Sequence, residues 1–320
     1  MAALIFALPN ELIIEIFLRC LPHSPNRKYY PWPRAAPLLL TYVCRHWKLL
    51  ALASPELWSS VEKQFAGAAL PESTTPSDRL LELCLQRAQS RQIRLSVLWI
   101  PPQSLCDLMQ RFPTITHLRV GYGHREITPH LEIVSSRFAG LETLEVWNGN
   151  IFEWITAPAL RELLCEREFS PKLIARMVMR SGCSRTLTTL QLRAPGMRSA
   201  LVDLLRLLPA VVSLQIHEPR ISEPASLRRI RYLPSVVHAL QDEDVVPRLS
   251  ELDLSSCFVP SSYAALTEIL TRRRTKLCKV KLHLQWGMQI MEARMDPTTG
   301  ARLAEMQRDG LDLFITSSSW

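Results

Sequence analysis

One six-residue phrase, apolar-x-x-apolar-x-apolar, recurs along this chain and limits what it can fold into. It appears as ITHLRV (115–120), LETLEV (141–146), LRELLC (160–165), LTTLQL (187–192), VVSLQI (211–216), LSELDL (249–254) and LCKVKL (277–282). Successive side chains of a strand point to opposite faces, so each phrase sends its last two apolar residues to one side and the residue between them to the other. The same alternation places Ile93, Leu95 and Val97 on one face of an earlier strand, opposite Arg94, Ser96 and Leu98. Stretches of helical spacing lie between the phrases, at 103–111, 129–138, 171–180, 198–208, 235–240, 261–274 and 297–308. Strand and helix in regular alternation imply either an ordinary α/β domain or a stack of repeats.

The central apolar residues, Leu118, Leu144, Leu163, Leu190, Leu214, Leu252 and Val280, are separated by 26, 19, 27, 24, 38 and 28 positions. Five of these six intervals fall within or beside the ~20–29 residues of leucine-rich repeats. The region resembles an irregular leucine-rich-repeat array. Only LSELDLSSC carries that family's terminal Asn/Cys position, at Cys257; Gly123, Gly149, Pro195, Pro219 and Gln285 stand at five of the other six. That side chain normally satisfies backbone groups in the turn, so the departures imply looser repeats.

The first sixty residues have a different pattern. In Leu8–Leu21, Leu12, Ile13, Ile16, Phe17, Cys20 and Leu21 recur at steps of three and four, one broad stripe on a helix opened by Pro9, with Glu11 near its positive end. A second stripe runs through Leu39, Val43, Trp47, Leu50 and Ala51, with Arg45, His46 and Lys48 on its polar side; Ser54-Pro55 ends it, and Leu57, Trp58 and Val61 follow. Three short helices cannot bury stripes this wide on one another, because small domains leave much of their surface exposed. A partner is implied.

These residues resemble the F-box family, whose motif joins a leading Leu-Pro-x-Glu and an Ile-Phe pair to a Val-Cys-Arg-x-Trp and a closing Pro-x-Leu-Trp. Here the four parts are Leu8–Glu11, Ile16-Phe17, Val43–Trp47 and Pro55–Trp58. The segment between the helices, with prolines at 22, 25, 31, 33 and 37, is longer than the usual connection and resembles an insert of many fungal F-box proteins. Those prolines favour an extended loop. The resemblance implies docking on a Skp-family adaptor, and through it on a cullin–RING ubiquitin ligase, by Leu8, Pro9, Ile16, Val43, Leu50 and Trp58. Trp47 and Trp58 are equally readable as core residues.

Motifs for catalysis are missing. GYGHRE (121–126) has Glu126 where a dinucleotide fingerprint needs its third glycine, and no G-x-S-x-G, P-loop or HExxH occurs. His117, His124 and His130 with Cys106 match no compact zinc module, so neither a metal nor a cofactor is expected. Eight cysteines without a C-x-x-C pair read as buried thiols of a reducing compartment. A net charge of +8 and the run Arg272, Arg273, Arg274, Lys276, Lys279 and Lys281 leave open a phosphate-binding patch or nuclear signal, against a solvated helix C-terminus. The opening MAALIFALPNELIIEIF lacks the basic region of a signal peptide, and no apolar run reaches a membrane span, so a cytoplasmic or nuclear protein is expected.

The expected architecture is therefore a small three-helix F-box domain (1–65), a linker (66–78) and a leucine-rich-repeat-like solenoid of alternating strands and helices (79–320). The expected activity is non-catalytic capture of a protein substrate for ubiquitination, with a non-degradative scaffold or a nucleic-acid-binding repeat protein as the other readings. Strand parity assigns the target to the concave strand face, through Arg119, Glu145, Trp147, Arg193, His217, Asp253, Lys281 and His283. Arg94, Gln191 and Gln215 stand in the same row. Trp147 is the expected anchor, with Arg193 and Lys281 meeting an acidic or phosphorylated group.

Overall fold

Prolines punctuate this chain at places where a helix can accept them. Five helices begin on one, at Pro76, Pro102, Pro171, Pro260 and Pro297, where the missing N–H would have had no intrahelical partner. The computed structural model describes residues 8–21, 36–64, 76–89, 91–98, 102–121, 136–147, 150–166, 169–193, 198–217, 233–256, 260–286 and 297–319. Helix and strand alternate through it, and its sheets are parallel. The chain divides into two compact units, Met1–Ile127 and Thr128–Trp320.

The first unit starts with helix α1 (Asn10–Cys20), a 3-10 turn (Leu39–Tyr42), α2 (Arg45–Ala53) and a second 3-10 turn (Pro55–Trp58). Pro9 lies just outside α1, and its carbonyl accepts from the amides of Leu12 and Ile13. The expected second stripe is broken at Val43, because Cys44 adopts an extended conformation and caps α2 by accepting from the Trp47 amide. Then follow β1 (Ser60–Gln64), α3 (Pro76–Arg87), β2 (Ile93–Leu98), α4 (Pro102–Arg111) and β3 (Ile115–Gly121), the three strands adjacent and parallel in chain order. Ile93, Leu95 and Val97 are buried, as their alternation requires.

The described residues before 65 also pack against later ones. β1 pairs with β2, and the Arg87 guanidinium lies over the Trp58 ring, 4.9 Å from its centroid. Of the expected linker, 66–75 lies outside the described residues and 76–78 already belongs to α3, which Pro76 opens.

The second unit holds β5 (Thr143–Val146), β7 (Glu162–Cys165), α5 (Pro171–Ser181), β8 (Thr189–Arg193), α6 (Arg198–Arg206), β9 (Ser213–His217), α7 (Leu233–Leu240), β10 (Glu251–Ser256), α8 (Pro260–Arg272), β11 (Lys279–Trp286), α9 (Pro297–Arg308) and β12 (Asp312–Ser319). These seven strands lie side by side in chain order, all parallel. Register aligns the repeated phrase: Leu144, Leu163, Leu190, Leu214, Leu252, Val280 and Leu313 form one lateral column, and all are buried. Each of α6 to α9 packs on the helix before it, so α5 to α9 form one layer. Gly182, at a φ of +67°, ends α5 in the left-handed conformation that favours glycine.

One expectation changes here. The 129–138 stretch, expected as a helix, is described only from 136 and ends as a short strand, β4 (Ser136–Arg137), paired with β6 (Ile155–Thr156). The shortest interval, between Leu144 and Leu163, where no helical spacing occurs, holds a 3-10 turn (Asn150–Glu153) and β6. Cys257, Gly123, Gly149, Pro195, Pro219, most of the 121–126 turn and all but the last two residues of the 22–37 insert lie outside the described residues.

Candidate functional site

The N-terminal helices leave apolar side chains in water. Ile13 and Phe17 of α1 are buried, with the Phe17 ring edge-on to Trp47 at 4.9 Å. Of the expected stripes, Leu12, Ile16, Leu39 and Val43 are exposed, and Tyr42 and Leu49, outside the stripes, are exposed as well, all six between 39% and 75%. Each belongs to one of three elements packed together, α1, the first 3-10 turn with its adjoining Val43, and α2. Among the residues expected to meet an adaptor, Ile16, Val43 and Pro9 are exposed, while Leu8 and Leu50 are half-buried. Trp58 is fully buried, and its indole N–H donates to the Ala51 carbonyl at 2.7 Å. Its place is the core behind the surface.

On the sheet of the second unit, side chains of opposite parity to the buried column form three lateral rows. One contains Glu145, Leu164, Gln191, Gln215, Asp253, Lys281 and Phe314 in mutual register. Toward the strand C-termini, Arg193, His217, Ser255 and His283 are aligned, with Trp147 and Glu166 directly after β5 and β7. Toward the N-termini run Thr143, Glu162, Thr189, Ser213, Glu251, Lys279 and Asp312. Arg119 belongs to the first unit, on β3 beside Ser96, and Arg94 neighbours His117 there.

The parity expected for Glu145, Trp147, Arg193, His217, Asp253 and Lys281 therefore holds, and His283 shares it by backbone position. Their electrostatics differ from the expectation. Arg193 binds the Glu166 carboxylate at 2.5 Å, Trp147 donates its indole N–H to Glu145 at 2.9 Å, and Lys281 stands beside Asp253. Sequence reasoning passed over Glu166, Glu162, Glu251, Leu164 and Phe314, although strand parity alone could have found the first four.

The basic run is not a cationic patch. Arg273 is buried and donates to the carbonyls of Leu240, Asp242, Val245 and Val246 at 2.6 to 3.0 Å. Burial pulls its pKa below the ordinary guanidinium value, against the pull of Glu243 and Asp242. Arg272 pairs with Glu268, Arg274 with Asp309 and Lys276 with Glu243. Arg180 repeats the device, donating to the carbonyls of Phe152 and Ile155 at the end of α5.

Burial pushes the thiols of Cys84 and Cys183 up to about 12 and 11, and that of Cys165 higher still, so none is a ready thiolate nucleophile. Among the described residues no cluster of His, Cys, Asp or Glu could hold a metal ion, and no helix is long and apolar enough to cross a membrane. A scan against models of known protein families matches none of them, and no curated protein matches the sequence.

Proposed function

We propose that the protein is a substrate receptor of a Skp–cullin–F-box ubiquitin ligase. Its N-terminal helices dock on a Skp-family adaptor, and its repeat-like region captures a protein target. The observation that carries the reading is the exposure of Leu12, Ile16, Leu39 and Val43 from the N-terminal stripes, together with Tyr42 and Leu49, on the segment that bears the four-part motif. Large apolar side chains left exposed on elements that pack together suit a place where another protein binds. Parallel strands with a repeating buried column fit a leucine-rich-repeat-like solenoid, which would offer its strand rows to the target. The chain would supply no bond chemistry; holding a target lysine near the loaded enzyme raises its effective concentration.

Nucleic-acid binding is the weaker reading, since Arg272, Arg273, Arg274 and Lys276 are engaged within the chain. The test is a pull-down of purified Skp-family adaptor by the full-length chain, with the exposed Ile16→Asp/Val43→Asp double variant beside it. Capture by the parent and loss in a folded variant is the expected result. No capture by the parent removes the proposal. A fragment ending at 65 is unsuitable, because it would sever β1 from β2.

A further inference from the structure

The strand rows have a charge opposite to that of the whole chain. In the second unit, the described outward positions of the seven strands and the residues directly after β5 and β7 carry six acids, Glu145, Glu162, Glu166, Glu251, Asp253 and Asp312. They carry three bases, Arg193, Lys279 and Lys281, so this face has a formal charge of −3 in a chain of +8. The bases are themselves hemmed by acids. Arg193 is ion-paired with Glu166, Lys279 lies in register between Glu251 and Asp312, and Lys281 lies beside Asp253. Apolar area is interleaved with the carboxylates, through the half-buried Trp147 and Leu164 and through Phe314, 55% exposed.

We infer that this face receives a lysine- and arginine-rich extended segment of a protein target. The assignment rests on the target-capture part of the proposed function and gives it a chemical class. An acidic or phosphorylated segment would meet net repulsion, and its two assigned partners, Arg193 and Lys281, already face carboxylates. A basic segment meets complementary charge across the strands, and its cations can stack on the Trp147 ring beside Glu145. Seven strands at ~4.8 Å spacing span ~29 Å, the length of roughly nine extended residues, so the site takes a stretch of chain and not one side chain.

The experiment measures binding of the full-length chain to a fluorescein-labelled lysine–serine repeat peptide, a glutamate–serine peptide of equal length and a single-stranded oligonucleotide. The lysine–serine peptide is expected to bind best, and to weaken as salt rises from about 0.1 M to about 1 M, where screening lengths fall from ~10 to ~3 Å. Glu162, Glu251 and Asp312 are all exposed, so the triple variant Glu162→Gln/Glu251→Gln/Asp312→Asn should fold while bringing the face to neutrality. Its affinity for the basic peptide should fall on the order of tenfold. If the triple variant fails to fold, Glu162→Gln alone takes its place, with a several-fold loss expected. Preference for the acidic peptide or the oligonucleotide, or unchanged affinity in the folded variant, overturns the inference. Adaptor pull-downs on the same proteins separate the two readings. Adaptor capture without preference for the basic peptide overturns this inference alone, whereas binding of the basic peptide without adaptor capture overturns the ligase reading and leaves the strand face assigned.

Discussion

The guanidinium of Arg273 donates to the carbonyl of Val246 at 3.0 Å, and Val246 holds a φ of +49°. A β-branched residue in the left-handed region is strained and persists where its surroundings hold it. Three further carbonyls, of Leu240, Asp242 and Val245, meet the same side chain, so one arginine shapes the turn between α7 and β10. Arg273→Ala should cost about 3 kcal/mol or more, because it leaves buried acceptors unmet. Arg273→Lys should recover little of this, since an ammonium lacks the planar fork. Urea midpoints decide it, and a lysine variant as stable as the parent would refute the role.

The buried column makes a second prediction. Leu190→Ala and Leu214→Ala remove side chains from the register that joins β8 to β9, and each should cost about 2–5 kcal/mol. Gln191→Ala, one residue away on the outward face, should stay within ~0.5 kcal/mol. Equal midpoints for Leu190→Ala and Gln191→Ala would show the parity to be wrong.

Within α1, Ile13 and Phe17 are buried while Leu12 and Ile16 are exposed. Phe17→Ala should therefore cost ~3–5 kcal/mol of stability. Ile16→Ala should leave stability nearly unchanged and, if the surface docks an adaptor, weaken that complex by ~2 kcal/mol as a hot spot would. Calorimetric titration of the folded Ile16→Ala chain against the adaptor separates the two roles.

The buried thiols predict a pH dependence. Cys84 and Cys183 rise from an ordinary 9.0 to about 12 and 11 because burial disfavours the thiolate. Between those limits the unfolded chain has lost a proton that the folded chain keeps, so stability is intact below about pH 9 and falls as pH rises above it. Each group contributes a slope of ~1.4 kcal/mol per pH unit in that window. Urea midpoints at pH 8 and pH 10 test it; Cys84→Ala/Cys183→Ala should flatten the decline.

The repeated phrase and its parity were legible in the sequence because strand alternation and helical spacing are local properties, set by the residues within one turn or two strand positions of each other. That locality placed Leu144, Leu190, Leu214 and Leu252 in the core and Glu145, Arg193 and Asp253 on the other face without knowledge of a single contact. β1 and β12 escaped notice because neither carries the full phrase, and pairing with β2 and β11 organises them. Tertiary structure alone decided that Trp58 faces inward beneath Arg87, that Arg273 disappears into a nest of carbonyls 27 to 33 residues away, and that Arg193 is committed to Glu166. The physical reason is distance. The charge that a side chain presents depends on neighbours brought within a few ångströms by the fold, and those neighbours lie tens of residues away in the chain, where no periodicity reaches.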